Sequence, residues 1–275
     1  MLHSKSTILS ILLSGAALLS SCSFVKEDRG ECPCTLNINM DAFLENDAID
    51  DTRALVSVQS AALLREEADL LEHEGAGLDV EVQRRRTPVS VAVGCQNASV
   101  KGDTLAVRAG RQWDPLFACA GEPDCNGDLC SWLARPHKQY CTVHLVLQHY
   151  KAGDEYPYDL CIKADCNAMR LLTLRPVTGE YSVLVDPSAA GVFDVRLPRQ
   201  KENSVLLEMY APNARRVYDR SDRVNFVNVG EQMEARGYDW GKEDLDDVYV
   251  TIDAVTLQAA VTIIAWDSSN INIEI

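Results

Sequence analysis

The sequence is short of positive charge. Lys and Arg number 26 against 41 Asp and Glu over 275 residues, a formal net charge of −15 at pH 7. A field of that sign repels phosphate backbones, so nucleic acid is excluded as a partner, and docking on an anionic bilayer through the protein surface is disfavoured. Histidine is also scarce, with five in all. No GxSxG elbow, HExxH or glycine-rich phosphate loop accompanies them, so no catalytic residues are assigned, no enzyme is expected and no cofactor is implied. Helical periodicity is sparse. It is expected over 61–73, where Leu63, Leu64, Leu70 and Leu71 share a stripe, and as a short turn or helix over 230–236. What is not lacking is apolar content, at 47%, which excludes disorder.

The apolar run 7–19 is too short to cross a bilayer as a helix. Behind His3 and Lys5, and ending in Leu19-Ser20-Ser21-Cys22, it has the form of a cleaved secretory signal, residues 1–21. The small residues before Cys22 resemble the lipobox of bacterial lipoproteins, in which the cysteine is acylated and becomes the first mature residue. The alternative is an ordinary signal with a chance cysteine. Two or three acyl chains hold a protein far more durably than one, so an amino-terminal outer-membrane lipid anchor is expected, with 22–34 as the lipidated tether. Lys26-Glu27-Asp28 resembles the surface-export signal of Bacteroidetes lipoproteins, although a solvated tether explains the same residues. Removing Lys5 with the leader leaves 25 basic against 41 acidic side chains, a net charge of −16.

Cysteine is plentiful. Of ten, nine remain beyond Cys22: Cys32, Cys34, Cys95, Cys119, Cys125, Cys130, Cys141, Cys161 and Cys166. Outside the cytoplasm such residues usually pair, and an odd number leaves one over. Proximity favours Cys119 with Cys130 and Cys161 with Cys166, although spacing alone does not fix connectivity. The run ACAGEPDCNGDLC offers thiolates to zinc, but no nearby histidine or fourth cysteine completes a zinc-finger spacing and His137 is distant. A disulfide-stapled loop is the preferred reading, with no metal site. Asp244, Asp246 and Asp247 lack the glycine and closing glutamate of a calcium loop, so a solvated acidic face is expected.

The dominant pattern is period-two alternation bounded by Gly, Pro, Asp and Asn. It predicts strands over 35–40, 79–83, 89–93, 142–147, 181–185, 192–197, 205–210, 248–253, 259–264 and 271–275. Many short strands with turns between them predict an all-β chain of Greek-key β-sandwiches. The polar segment 150–157, with Gly153 and Pro157, predicts a boundary between an amino-terminal sandwich, 35–150, and a carboxy-terminal one, 151–275. His144, inside a strand, is expected to be a face residue. Arg84-Arg85-Arg86 is either a protease site or, more commonly, a solvated strand end.

Several stretches are similar to the FimB-type fimbrial anchor lipoproteins of Bacteroidetes. They are the lipobox, Glu31-Cys32-Pro33 leading into TLNINM, TPVSVAVGCQN, SWLARPHKQYCTVHLVL and the closing GYDWGKEDLDDVYVTIDAVTLQAAVTIIAW. The cysteine content departs from that family. The resemblance implies two transthyretin-like sandwich domains in tandem, no catalysis, and a fimbrial stalk subunit as protein partner. It further implies that stalk subunits lose their first strand and accept one from a neighbour. An anchor cannot, because its first strand is continuous with Cys22. The end free to pair with a partner is then 268–275, where Ile271, Ile273 and Ile275 share one face; an edge strand of the home sandwich has the same pattern. A surface glycan-binding lipoprotein is the alternative. It requires exposed aromatic platforms, whereas Trp113, Trp132, Trp240 and Trp266 fall at strand ends as core plugs do.

Overall fold

The computed structural model of the protein describes residues 32–148, 158–185, 192–211, 222–253, 256 and 258–266. Cys22, His149, the segment 150–157 and Ile271, Ile273 and Ile275 lie outside them. In chain order the strands are β1 (Cys34–Asn39), β2 (Arg53–Gln59), β3 (Leu63–Asp69), β4 (Leu78–Val82), β5 (Val89–Val93), β6 (Ser99–Lys101), β7 (Thr104–Ala106), β8 (Phe117–Gly121) and β9 (Leu129–Leu133). They continue with β10 (His137–Lys138), β11 (Tyr140–Gln148), β12 (Asp159–Arg170), β13 (Pro176–Val185), β14 (Val192–Pro198), β15 (Leu206–Tyr210), β16 (Arg223–Asn228), β17 (Asp247–Asp253) and β18 (Ala259–Ile264). Two short helices, α1 (Asp41–Leu44) and α2 (Val229–Ala235), complete the order, the second close to the expected 230–236.

The expected all-β, sheet-on-sheet architecture is the one found. A three-stranded sheet, β4-β1-β9, faces a five-stranded one, β10-β8-β5-β2-β3. Between them lies a first core that includes Leu36, Ile38, Val56, Val91 and Phe117. A second core, with Trp113, Leu145, Ile162, Tyr181, Leu207 and Val250, fills the space between β14-β11-β17-β18 and a sheet in which β12 is flanked by β13, β15 and β7. Strand β5 is buried on both faces. Its Val89, Val91 and Val93 enter the first core and its Ala92 the second, and in β8 Phe117 and Ala118 divide the same way. In FACAG the doubly buried β8 has no polar alternation, which is why it gives no strand signal in the sequence. Strand order crosses between the halves of the chain as well. The β6-β7 hairpin pairs with the end of β12, and β11 pairs antiparallel with β14 and parallel with β17.

The helix expected over 61–73 is not formed. Leu63–Asp69 is a strand that pairs along its whole length with β2, and only Leu70–His73 turns as a 3-10 helix, capped by the Asp69 side chain accepting from the Leu71 N–H at 3.0 Å. A helix of about a dozen residues is marginal by itself, and the unpaired edge of β2 offers seven residues of ladder in its place. Burial follows the pairing: Ala68 and Leu70 are in the core, whereas Leu64 and Leu71 are exposed.

No disulfide joins the described cysteines. Neither of the two pairs favoured by proximity is formed. Cys161 and Cys166 both lie in β12, and five residues of extended chain separate them by about 16 Å, against a Cα separation below about 7 Å for a disulfide. Cys119 and Cys130 lie on β8 and β9, in the two sheets that face each other across the first core, and no bond joins them.

Candidate functional site

Strand β1 is where the chain enters the fold. It lies between β4, antiparallel, and β9, parallel, so both of its edges are used. Cys34, Leu36, Ile38 and Met40 turn inward and are at most 2% exposed. Burying four such side chains is worth roughly 6–12 kcal/mol, comparable to the whole stability of a domain. A chain without β1 would expose two sheet edges and an open core.

The opposite end of the described chain is held differently. In the stretch GYDWGKEDLDD, Gly237 adopts φ 78° just past α2, and the Tyr238 N–H donates to the Met233 carbonyl at 3.0 Å. This closure, of the kind that commonly ends helices at glycine, turns Tyr238 and Trp240 into the second core, where their rings meet edge to face at 4.7 Å. The Tyr238 hydroxyl donates to the Asp246 carbonyl at 2.8 Å. The three aspartates that follow are not a solvated face. Asp244 accepts from the Lys138 backbone N–H at 2.7 Å and lies 3.1 Å from His137 Nδ1. Asp247 accepts from the Thr142 N–H and, at 2.6 Å, from Lys138 Nζ. Asp246 is 5% exposed, pairs with Lys242 and accepts from the Trp266 N–H at 3.3 Å.

Lys138 is the centre of this clasp. Its side chain is fully buried, and its ammonium donates to the Leu245 carbonyl at 3.1 Å and sits over the rings of Tyr140 and Trp266, 4.5 and 4.6 Å from their centroids. A buried ammonium is tolerable only with a counter-charge, bonded protons and aromatic faces around it, and here all three are present. Arg199 braces the same turn by donating to the carbonyls of Trp240, Lys242 and Glu243 and to Gln139 Oε1. Burial pushes the Tyr140 hydroxyl and the Cys141 thiol up to about 12, in keeping with the dry interior of the turn. The arrangement does mechanical work. It locks 137–142 onto 243–247, sets the start of the parallel β11-β17 pairing at Val143 opposite Val248, and pins Trp266 both to Lys138 and to Phe117 of the first core. Trp266, the last described residue, is therefore fixed at the root of the tail that carries Ile271, Ile273 and Ile275.

Strand β18 lies at the edge of its sheet with β17 as its partner, and only Val261 of its six residues is buried. Edges β9 and β16 also carry exposed apolar side chains, Leu129 and Leu133 on one, Val224 and Phe226 on the other. Beside β9 lies a cleft of about 600 Å³ lined by Trp132, Arg135, His137, Arg175 and Trp240. Trp132 lies against Gly121, where a Cβ would come within 2.8 Å of its indole nitrogen. Trp113 and Trp240 are buried core plugs, as expected. His144 is a face residue, also as expected: it stacks on Tyr249 at 4.6 Å and lies 2.7 Å from Asp194. The arginine run is built into the fold, with Arg84 paired to Asp128, Arg85 bonded to the Ser60 carbonyl and Arg86 bridged to Asp124.

No protein-family model matches the chain, and no curated protein matches it. Solved structures do. A candidate polysaccharide-binding protein from Bacteroides thetaiotaomicron superposes with a TM-score of 0.55 at 13% identity, over 86% of this chain and 97% of that one. The fimbrial anchor protein Mfa2 from Porphyromonas gingivalis gives 0.53 at 9% identity, over 86% and 98%. A candidate adhesin from Bacteroides ovatus gives 0.52 at 11% identity, over 87% and 97%. At these identities the likeness is one of fold, and the fold is that of fimbrial anchor and adhesin-type proteins of Bacteroidetes, as the sequence resemblance implied.

Proposed function

We infer that this chain is a lipid-anchored subunit of the outer membrane, acylated at Cys22, that holds a fimbrial fibre at the cell surface by strand complementation with a stalk subunit. The observation that carries the reading is the position of β1. The strand nearest the lipid is central in its sheet and seals the first core, so it stays with the body and a partner is engaged elsewhere. The tail beyond Trp266 is the end available, and its alternating Ile271, Ile273 and Ile275 suit a groove in a neighbouring subunit, each contributing roughly 1.5–3 kcal/mol before ordering costs. The shared fold with a fimbrial anchor protein supports the same assignment.

Two variants test it. Cys22→Ala moves the protein from the membrane to the soluble fraction with its melting temperature unchanged; retention on membranes after a high-salt wash would refute the anchor. Deleting residues 270–275 abolishes co-purification of the stalk subunit from sheared surface material while the melting temperature shifts by no more than about 2 °C. A large loss of stability would instead assign those residues to the home sandwich. Glycan binding is the second reading, favoured by the cleft at Trp132, and a Trp132→Ala variant that loses retention on immobilised polysaccharide would establish it.

A further inference from the structure

Three cysteines border one end of the first core. Cys34 opens β1, Cys130 lies on β9 opposite Leu36, and Cys125 sits in the connection between β8 and β9. The Cys34 thiol donates to the Thr35 carbonyl at 3.6 Å and the Cys125 thiol to the Pro123 carbonyl at 3.8 Å; both are buried in the first core, and Cys130 packs against it. The surroundings hold these segments in place. The Thr35 N–H donates to the Asp128 carbonyl at 2.9 Å, the Cys125 N–H to the Arg85 carbonyl at 3.1 Å, and Arg84 is paired with Asp128. Cys34 and Cys125 are both fully covered, whereas Cys130 is half-exposed. Among the described residues no group of three or more His, Cys, Asp or Glu could hold a metal ion, and two covered thiols beside a half-exposed one suit thiol–disulfide exchange.

We propose that Cys34 and Cys125 are a disulfide-forming pair, closed by exchange with an external disulfide that enters at Cys130. The Cys130 thiolate attacks one sulfur of the external disulfide, forming a mixed disulfide and releasing the first external thiol. Cys125 then attacks the Cys130 sulfur and releases the second. Cys34 displaces Cys130 from Cys125, leaving the Cys34–Cys125 bond and a Cys130 thiol. Two thiol hydrogens are lost from the protein, and two external thiols are formed. The closed pair suits its place: a disulfide carries no charge and no donor, and two covered thiols are replaced by one apolar link. Burial pushes the Cys34 and Cys125 thiols up, the latter to about 12, so oxidation starts at the half-exposed Cys130. The bond would tie the first turn of β1 to the β8-β9 connection. On the anchoring reading, that is the point where a pull from the lipid enters the fold.

Peptide mapping tests the pair. The detergent-extracted full chain is treated with oxidised glutathione, alkylated and digested with trypsin without reduction. The expected product links peptide 30–53 to peptide 112–138, and fragmentation assigns the bond to Cys34 and Cys125. The link is lost in Cys34→Ser and Cys125→Ser, survives in Cys32→Ser, and forms about tenfold more slowly in Cys130→Ser. Fragmentation of the wild-type product decides the matter even if a variant folds poorly. A bond between Cys125 and Cys130, a bond through Cys32, or three alkylated thiols after oxidation would overturn the proposal. None of these outcomes bears on Cys22, so the anchoring reading stands or falls separately.

Discussion

The first and last described strands are secured by opposite means. Strand β1 has a neighbour on each side and three inward side chains, followed by buried Met40, in an apolar core. Among the described residues strand β18 has β17 as its one strand partner, a single buried residue, and beyond its end a tryptophan held by a buried lysine and an aspartate. The difference teaches which end can change partners. Apolar burial over a full strand is lost only by unfolding the sheet, whereas an edge strand exposes a ladder that another chain can read. Under the proposed anchoring through the amino terminus, that asymmetry would put tension on β1 and leave exchange to the other end.

The sharpest way to break the comparison is to empty the two strands in turn. Leu36→Ala is expected to cost roughly 2–5 kcal/mol in urea denaturation, and Ile263→Ala, on half-buried β18, about 1 kcal/mol. Equal losses would end the distinction between a sealed and an open end. Next in size is the clasp. Asp247→Ala leaves the buried Lys138 ammonium without its carboxylate and is expected to cost about 3 kcal/mol, with the Trp266 fluorescence shifting to the red as its ring loses its seat. An unchanged spectrum would mean that Lys138 does not fix the root of the tail.

The smallest effect compares the cores by pH. Burial holds the Cys119 thiol of the first core and the Cys141 thiol of the second at about 12, against 9.0 for an ordinary thiol. Between those values the unfolded chain has lost protons that the folded chain retains, so stability is flat below about 9 and falls as pH rises toward 12. Removing either thiol, by Cys119→Ala or Cys141→Ala, is expected to flatten part of that slope in melting curves taken from pH 8 to about 11. If neither variant alters it, the alkaline loss has another source.

Much of the strand set was legible in its period-two alternation and flanking turn residues. The expected 89–93 and 259–264 coincide with β5 and β18, and 35–40 differs from β1 by one residue at each end. What was not legible has physical causes. Strand β12 carries irregularities between Ala164 and Cys166 and between Cys166 and Ala168, which shift the inward face and erase the period of two. Strand β3 has a leucine spacing that suits a helix, and only the free edge of β2 makes it a strand. The clasp was misread for a similar reason. Asp244, Asp246 and Asp247 form an acidic turn to any local reading, and the lysine that neutralises one of them lies 109 positions away.

The sequence by itself determined the all-β class, the alternating faces of most strands and the net negative charge, because each depends on residue type and short spacing alone. Tertiary structure alone decided that β1 is central and, among the described residues, β18 an edge, that two pairs of sheets share β5 and β8, that Cys34 and Cys125 enter one core while Cys161 and Cys166 stay apart along β12, and that a buried lysine holds Trp266. Those outcomes depend on which segments lie beside one another, and strand pairing is set by long-range burial and hydrogen-bond satisfaction that no local window contains.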